Sequence, residues 1–263
     1  IKILYVAPER LESMDFLNLV SNIDISQVAV DEAHCVSQWG HDFRSSYKFI
    51  GRFINLLRKR PVVSAFTATA TEEVRKDIVK LLELNDPKVF VSGFDRDNLK
   101  IIIEKGVNKA HYILDYLKEN KDVSGIIYCA TRKEVDYLCE LINSRGIGCT
   151  KYHAGLSDEE RKKNQEDFVF DKVSVMVATN AFGMGIDKPN IRYVIHNNMP
   201  KNIEGYYQEI GRAGRDGEKS ECILIFSPGD VQTQKYIIET GTLNPERKIN
   251  ELSKLQTMMD LVY

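Results

Sequence analysis

The chain has 263 residues, of which 43% are hydrophobic, 28% charged and 9% aromatic. This composition excludes a disordered tail, a collagen and a disulfide-dense miniprotein, and the length predicts about two globular domains. The 36 lysines and arginines nearly balance the 38 aspartates and glutamates, for a net charge of -2. No overall basic excess therefore indicates a polyanionic partner.

Cysteine usage and hydropathy bear on the compartment. The five cysteines are scattered without a C-x-x-C pair, which argues against a disulfide framework and a zinc knuckle. No apolar run approaches the roughly 20 residues that a membrane span needs. We therefore expect a cytoplasmic protein with no membrane partner. Because the chain has no initiator methionine and opens inside a predicted strand, we also expect it to be part of something longer.

Short β-branched runs alternate with longer amphipathic stretches, which is typical of βαβ units and a buried parallel sheet. The predicted strands, in chain order, are 3–6, 28–30, 62–66, 89–91, 101–103, 125–129, 149–152, 173–178, 193–195 and 222–226. Helical spacing of apolar residues predicts helices over 71–84, 132–144 and 158–168, and a helical tail after residue 230. The polar stretch 92–98 is rich in turn formers and predicts an interdomain linker.

The first chemical signal is a pair of acids after the second predicted strand, in the string Asp31-Glu32-Ala33-His34. In an open parallel sheet, ligands bind beyond the carboxyl ends of the strands. There, Asp31 would hold a hydrated Mg²⁺ ion while Glu32 orients and deprotonates an attacking water. The alternative is a strand end with two solvated acids.

Small hydroxylic residues close the third predicted strand, in the string SAFTATAT at 64–71. One interpretation is a junction between strand and helix, with Thr71 as the N-cap. Beside Asp31 and Glu32, the same segment could instead hydrogen-bond the acid-bearing loop and relay the state of a nucleotide to another site.

Two arginines, Arg212 and Arg215, flank a glycine-containing turn in the string QEIGRAGRDG at 208–217. Planar cations of this kind suit a phosphate reached across a cleft, and an arginine finger is worth ~10³ to 10⁵ in phosphoryl transfer. The alternative is a solvated basic turn. The string Gly217-Glu218-Lys219-Ser220 is rejected as a phosphate loop, because the glycines that such a loop requires are absent.

Two further loops carry groups that could contact a ligand. The strand at 175–178 runs into a glycine-bearing loop with Thr179 and Asp187, which spacing alone does not separate from a structural turn. The loop after the acids combines aromatic and cationic groups that can stack bases and bind phosphate. Its alternative is a tryptophan that anchors the loop in the core. The residues in question are Trp39, His41, Phe43 and Arg44.

Taken in order, these strings resemble the RecQ family of superfamily 2 DNA helicases, over nearly the whole chain. The segments that resemble helicase motifs II to VI are 31–34, 64–71, 126–132, 177–189 and 208–217, and 152–156 fits the family's second lobe. His34 in place of an aspartate, and above all the aromatic-rich loop 37–44, separate RecQ proteins from DEAD-box RNA helicases.

The resemblance implies an α/β protein with tandem RecA-like parallel-sheet lobes and a short C-terminal helical segment. It implies ATP between the lobes and single-stranded or partly duplex DNA across their tops, with translocation from 3′ to 5′ in repair or recombination. By this resemblance, 1–92 is the back part of an incomplete lobe 1, 93–98 the linker, 99–226 lobe 2 and 227–263 the helical start of a zinc-binding region. Zn²⁺ is expected only beyond this chain, with no zinc ligands inside it.

The resemblance also assigns roles to single residues. Asp31 would bind Mg²⁺ and Glu32 would be the catalytic base, while Arg212 and Arg215 would face the ATP phosphates, with Arg215 as the finger. The nucleotide-facing residues would be Gly185, Asp187 and Gln208. Coupling or DNA contact is implied for His34, Trp39, His41, Phe43, Arg44, Thr131, Arg132, His153 and Thr179.

The chain departs from the family pattern in one respect that matters for activity. It contains no Walker A lysine and no glutamine motif. We therefore expect a fragment of a helicase that does not hydrolyse ATP by itself. Two alternatives stay open: a non-catalytic RecA-like nucleic-acid-binding module and a DEAD-box-like RNA helicase. The sequence does not indicate an oligomeric state.

Overall fold

The computed structural model describes residues 2–37, 43–91, 93, 95–183, 186–241 and 245–263. The chain forms two compact units, Ile1–Gly93 and Phe94–Tyr263. Each unit is built from parallel strands and the helices that follow them.

The first unit is a two-stranded parallel sheet covered by helices. Its elements are α1 (Met14–Val20), β1 (Gln27–Val30), α2 (Lys48–Leu56), β2 (Val62–Ala65) and α3 (Glu72–Leu81). The predicted N-cap is confirmed, because Thr71 Oγ1 accepts a hydrogen bond from the Val74 amide at 3.3 Å. The core side chains of this unit include Val30, Ile54 and Ile78.

Two of the strands predicted for the first unit are wrong. Residues 3–6 and 89–91 are not strands, and Tyr5 is 94% and Phe90 89% exposed. A β-branched run becomes a strand only when another strand completes its hydrogen-bond ladder. Within the described part of the chain, neither stretch has such a partner, because β1 and β2 pair only with each other. The strands predicted at 28–30 and 62–66 are confirmed to within one residue at each end.

The second unit contains a six-stranded, all-parallel sheet. Its strands are β3 (Leu99–Lys105), β4 (Gly125–Tyr128), β5 (Cys149–Tyr152), β6 (Val175–Ala178), β7 (Tyr193–His196) and β8 (Ser220–Phe226), in the spatial order β3-β8-β7-β4-β6-β5. Its helices are α4 (Lys109–Glu119), α5 (Arg132–Ser144), α6 (Asp158–Val169), α7 (Ile203–Ile210), α8 (Pro228–Thr240) and α9 (Pro245–Val262). The α/β class and the predicted helices at 132–144 and 158–168 are confirmed.

Helices cover both faces of this sheet, which explains why its central strands β4, β6 and β7 are buried at every residue. Along β4 and the residue after it, Ile126 and Tyr128 belong to one hydrophobic cluster, and Ile127 and Cys129 belong to another. The strand register aligns Tyr128 with Ala178 and with His196. These strands therefore end level with one another, and the loops that follow them meet at one edge of the sheet.

The helical tail belongs to the core of the second unit. Val231 and Ile238 of α8, and Leu255 and Met258 of α9, are buried in the same cluster as Tyr128. The predicted helical tail is thus confirmed. Its assignment to the start of a zinc-binding region remains a prediction.

A buried ion pair joins α8 to α4. Asp230 is 3% exposed, and Lys109 Nζ lies 2.7 and 2.8 Å from its two carboxylate oxygens. The same carboxylate accepts hydrogen bonds from Asn198 Nδ2 at 3.3 Å, the Met199 amide at 3.3 Å and Ser227 Oγ at 3.1 Å. Each carboxylate oxygen therefore has several donors in a site closed to solvent.

We expect Asp230→Ala to lower the free energy of unfolding of the second unit by about 3 kcal/mol, because it leaves the partly buried Lys109 ammonium and the donors of Asn198, Met199 and Ser227 without their buried acceptor. Chemical denaturation of the chain, followed by circular dichroism, measures this change. Lys118→Ala is the control, because it breaks the exposed Lys118–Asp115 pair, where solvent screens the interaction. An Asp230→Ala protein as stable as Lys118→Ala would contradict the role of this pair.

Candidate functional site

The acid pair lies at the carboxyl end of β1, as predicted. The Phe66 amide donates to Val30 O and the Ala33 amide donates to Phe66 O, both at 2.8 Å, so the segments after β1 and β2 are bound together. Glu32 lies between these two bonds with φ 47° and ψ 44°, in the left-handed region. Such a backbone costs about 1–2 kcal/mol for a residue with a side chain. The loop thus holds strain at the position where the motif places its acids.

His34 joins the acid loop to the segment after β2. The imidazole is 2% exposed, and its Nδ1 lies 3.0 Å from Thr67 Oγ1 and 3.3 Å from Glu32 Oε2. Thr67 Oγ1 also donates to Thr69 O at 3.2 Å. A hydrogen bond between the hydroxylic segment and the acid loop is therefore present. Because His34 is buried, it connects the two segments and has no surface to offer a nucleic acid directly.

A backbone hydrogen bond joins the two ends of the aromatic loop, next to the acid loop. The Arg44 amide donates to Cys35 O at 3.0 Å, which closes the base of the loop one residue after His34. Phe43 and Arg44 are half-buried, and Lys48 Nζ lies 5.2 Å from the centre of the Phe43 ring. The predicted coupling residues Trp39 and His41 lie outside the described residues.

In the second unit, both motif VI arginines hold the loop after β6. Arg212 donates to the Gly183 carbonyl, and Arg215 Nη1 donates to Ile186 O at 2.8 Å. A side chain at position 183 would displace the Arg212 guanidinium, and the φ of 155° at this position is one that residues with a side chain rarely adopt. Arg215 Nη1 also lies 3.7 Å from Asp187 Oδ1, in an ion pair whose carboxylate side is 92% exposed.

The two arginines differ in their exposure to solvent. Arg212 Nε is buried, whereas the Arg215 side chain is 39% exposed. Gln208 is half-buried on α7. Gly185, the third predicted nucleotide-facing residue, lies outside the described residues. The structure thus brings Asp187, Arg212 and Arg215 together at one loop.

The DNA-contact residues predicted in the second unit lie near the carboxyl edge of its sheet, on loops and, for Arg132, at the start of α5, and most are already bonded. Thr131 Oγ1 caps α5, donating to Glu134 Oε2 at 2.9 Å and accepting from its amide at 3.2 Å. His153 is 5% exposed, with Nε2 3.2 Å from Asp136 Oδ1 and Nδ1 accepting from the Gly155 amide at 3.1 Å.

Thr179 is likewise buried, and its Oγ1 accepts from the Ala181 amide at 3.4 Å. Arg132 is exposed. In this structure Thr131, His153 and Thr179 therefore shape the loops, whereas the exposed Arg132 presents a cation to solvent. Contact of any of these residues with DNA remains a prediction.

Sequence reasoning missed one buried polar pair close to the arginines. His196 Nε2 lies 2.7 Å from Glu209 Oε2, and the histidine is 1% exposed. Glu209 stands inside the predicted string 208–217, and His196 ends the strand predicted to reach residue 195. In the sequence, His196 and Glu209 are visible only as polar residues within apolar stretches. That pattern does not show that the two side chains contact each other.

Lys188, in the loop after β6, was also passed over. It is 2% exposed, and its ammonium contacts Asp171 Oδ1 at 2.6 Å and lies 5.3 Å from the centre of the Phe168 ring. The lysine holds the Arg212-bound loop to the end of α6. Nothing in its spacing distinguishes it from a solvated lysine.

Among the residues described, no cluster of three or more His, Cys, Asp or Glu side chains could hold a metal ion. None of the helices in the described ranges combines the length and the apolar character needed to cross a membrane.

Two family models match the chain. The model described as DEAD/DEAH box helicase matches residues 1–78, and the model described as helicase conserved C-terminal domain matches residues 108–217. The ATP-dependent DNA helicase RecQ of Bacillus subtilis is 48% identical over 259 residues, which is 98% of this chain and 44% of the relative. The chain belongs to the RecQ family of superfamily 2 helicases.

A second relative agrees with this family, and a solved structure shares the fold. The RecQ helicase of Pasteurella multocida is 41% identical over 258 residues, covering 98% of this chain and 40% of the relative. The structure of Mycobacterium smegmatis helicase Lhr bound to single-stranded DNA and AMP-PNP matches with a TM-score of 0.69 at 19% identity, covering 88% of this chain and 33% of that one. This likeness confirms the tandem RecA-like fold. The chain spans less than half the length of these RecQ relatives.

Proposed function

We propose that this chain is the motor region of an ATP-dependent DNA helicase of the RecQ type, which moves from 3′ to 5′ and serves repair or recombination. The observation that carries the proposal is the link from Glu32 through His34 to Thr67. It connects an acid pair suited to nucleotide chemistry with a second loop, as a motor that couples hydrolysis to movement requires.

The acid loop supplies one part of the nucleotide chemistry. Asp31 is exposed at the end of β1 and presents oxygen atoms, which are the ligands that Mg²⁺ prefers. One carboxylate suffices, because Mg²⁺ at phosphate sites is held mostly by water and by the phosphates themselves. When bound, the ion would neutralise charge on the phosphates. Glu32 would orient the attacking water and accept its proton.

The arginine loop supplies the other part. Arg215 is the proposed finger, because its partly exposed guanidinium can exchange a carbonyl partner for a phosphate. Arg212 would bind a second phosphate oxygen, with Gly185, Asp187 and Gln208 facing the nucleotide.

The proposed DNA partners are a single strand and a partly duplex DNA. Arg132 and Arg44 would bind the phosphate backbone, and Phe43 and Trp39 would stack on bases. His41, Thr131, His153 and Thr179 would shape this surface. The net charge of -2 does not argue against it, because cations over a DNA path and acids at a metal site cancel in a sum. All five cysteines are free and buried, which suits a reducing cytoplasm.

The alternatives are separated by what stimulates ATP turnover. In the full-length gene product, we expect single-stranded DNA to stimulate ATP hydrolysis more than RNA of the same length and sequence. Stronger stimulation by RNA would favour an RNA helicase. Nucleic-acid binding without any turnover would favour a non-catalytic RecA-like module.

The 263-residue chain without added residues is the second test. It contains no G-x-x-x-x-G-K-[ST] string, which is the loop that cradles the β and γ phosphates in related motors. We expect no appreciable ATP hydrolysis from this chain, measured as phosphate release with and without DNA. Turnover would show that another loop replaces the phosphate loop.

A further inference from the structure

His196 lies in an aromatic pocket behind the arginine loop. Its ring stacks on Tyr128, with centroids 5.4 Å apart, and meets the edge of Tyr206 at 5.0 Å. Its Nε2 is bonded to Glu209, but its Nδ1 is buried without a hydrogen-bond partner among the described protein atoms. An unsatisfied buried nitrogen is destabilising, so packing alone does not favour a histidine here. The feature that a histidine adds at this position is the hydrogen bond from its imidazole to Glu209.

Glu209 connects this pocket to the arginines. It lies on α7, three residues before Arg212, and its side chain is 14% exposed. Because α7 ends at Ile210, a bond that fixes Glu209 also fixes the start of the turn that carries Arg212 and Arg215.

The other side of the pocket leads to the same loop. Tyr128, which stacks on His196, donates its hydroxyl to Phe182 O at 3.1 Å. Arg212 donates to the next carbonyl, that of Gly183. The contacts therefore form a closed circuit. Glu209 contacts His196, His196 stacks on Tyr128, and Tyr128 contacts the loop after β6, which Arg212 joins to the C-terminal end of α7.

We infer that His196 and Glu209 are a positioning pair that sets where the Arg212 guanidinium stands relative to the loop after β6. Neither residue touches the reacting atoms. The expected change in turnover rests on the proposed ATP hydrolysis. The expected change in the position of Arg212 rests only on the contacts described above.

The kinetic test uses the full-length gene product with His196→Leu, Glu209→Leu and the double variant. We expect kcat for DNA-stimulated ATP hydrolysis to fall about 10- to 100-fold in each single variant, because a misplacement near 1 Å can cost that much. The KM for ATP should change little. His196→Gln, whose amide nitrogen can occupy the place of Nε2, should recover much of the loss.

The double variant separates positioning from a merely structural role. Replacing both bonded partners with apolar side chains is nearly neutral for stability, so its melting temperature should approach that of the wild type. Its kcat should stay as low as that of the single variants, because the two residues act as one unit. Recovery of kcat together with stability would overturn the inference.

Tyr116→Phe is the control. It removes the 3.0 Å hydrogen bond from the Tyr116 hydroxyl to Glu221, and Tyr116 packs against the hydrophobic cluster on the opposite face of the sheet. We expect its kcat to match the wild type.

A second measurement does not need ATP turnover. In the 263-residue chain labelled with ¹⁵N at arginine Nε, the Arg212 signal should shift or broaden in His196→Leu and in Glu209→Leu, but not in Tyr116→Phe. An unchanged Arg212 signal in the two variants would overturn the positioning role. If the wild-type full-length protein shows no DNA-stimulated hydrolysis, the proposed function fails, and this spectrum still decides the inference.

Discussion

Glu32→Gln in the full-length gene product is expected to reduce DNA-stimulated ATP hydrolysis by a factor of about 10² to 10⁴, which is the contribution of a positioned general base. The amide keeps the size of the side chain but does not accept the proton of the attacking water. Glu32 lies in the strained loop after β1, within 3.3 Å of His34 Nδ1, so its orientation is set by the protein. Phosphate release with saturating single-stranded DNA measures the change.

DNA binding should survive this substitution. We expect the affinity for a labelled single strand, measured by fluorescence anisotropy, to remain close to that of the wild type. The control is Glu73→Gln, since Glu73 is an exposed acid in the first turn of α3. Glu73→Gln should leave both turnover and binding unchanged. Retained turnover in Glu32→Gln would exclude Glu32 as the base.

Arg215→Ala is expected to reduce the same activity by about 10³ to 10⁵, the range attributed to an arginine finger. In the structure Arg215 is held by one carbonyl at 2.8 Å and by an exposed carboxylate at 3.7 Å, so little energy is needed to release it. Arg215→Lys should recover only part of the loss, because an ammonium keeps the charge without the planar fork.

Comparison with Arg212→Ala decides which arginine is the finger. Arg212 holds the Gly183 carbonyl and is partly buried, so its removal should also disturb the loop after β6. Arg145→Ala, at the exposed end of α5, is the control and should not affect turnover. A larger loss in Arg212→Ala, with Arg215→Ala near the wild-type rate, would transfer the finger role to Arg212.

Local patterns predicted those elements whose stability is decided nearby in the chain. The helix at 132–144 was predicted at its observed bounds, because its capping box and apolar spacing lie within one segment. The central strands β4, β6 and β7 were predicted because both faces of the sheet are covered, which makes these strands apolar. The runs at 3–6 and 89–91 failed, because a strand also depends on a partner elsewhere in the chain.

The candidate site divides in the same way. Motif strings predicted that Asp31 and Glu32 follow a strand, and the structure has them after β1, with Arg212 and Arg215 after α7; the roles of these residues stay predictions. The burial of His153 and Thr179 depended on sheet packing, which no string records. For the same reason, the sequence predicted a hydrogen bond between the 64–71 segment and the acid loop but not that His34 and Thr67 form it.

By itself, the sequence determined the α/β class, the order of the loops that carry chemistry and the family of the chain, because periodicity and motif spacing are local properties. Only the tertiary structure decided that the helical tail completes the core of the second unit, that Asp230 is buried against Lys109, and that His196 meets Glu209. These contacts join residues on different elements. Sheet register and helix packing bring them together, and neither can be read from spacing along the chain.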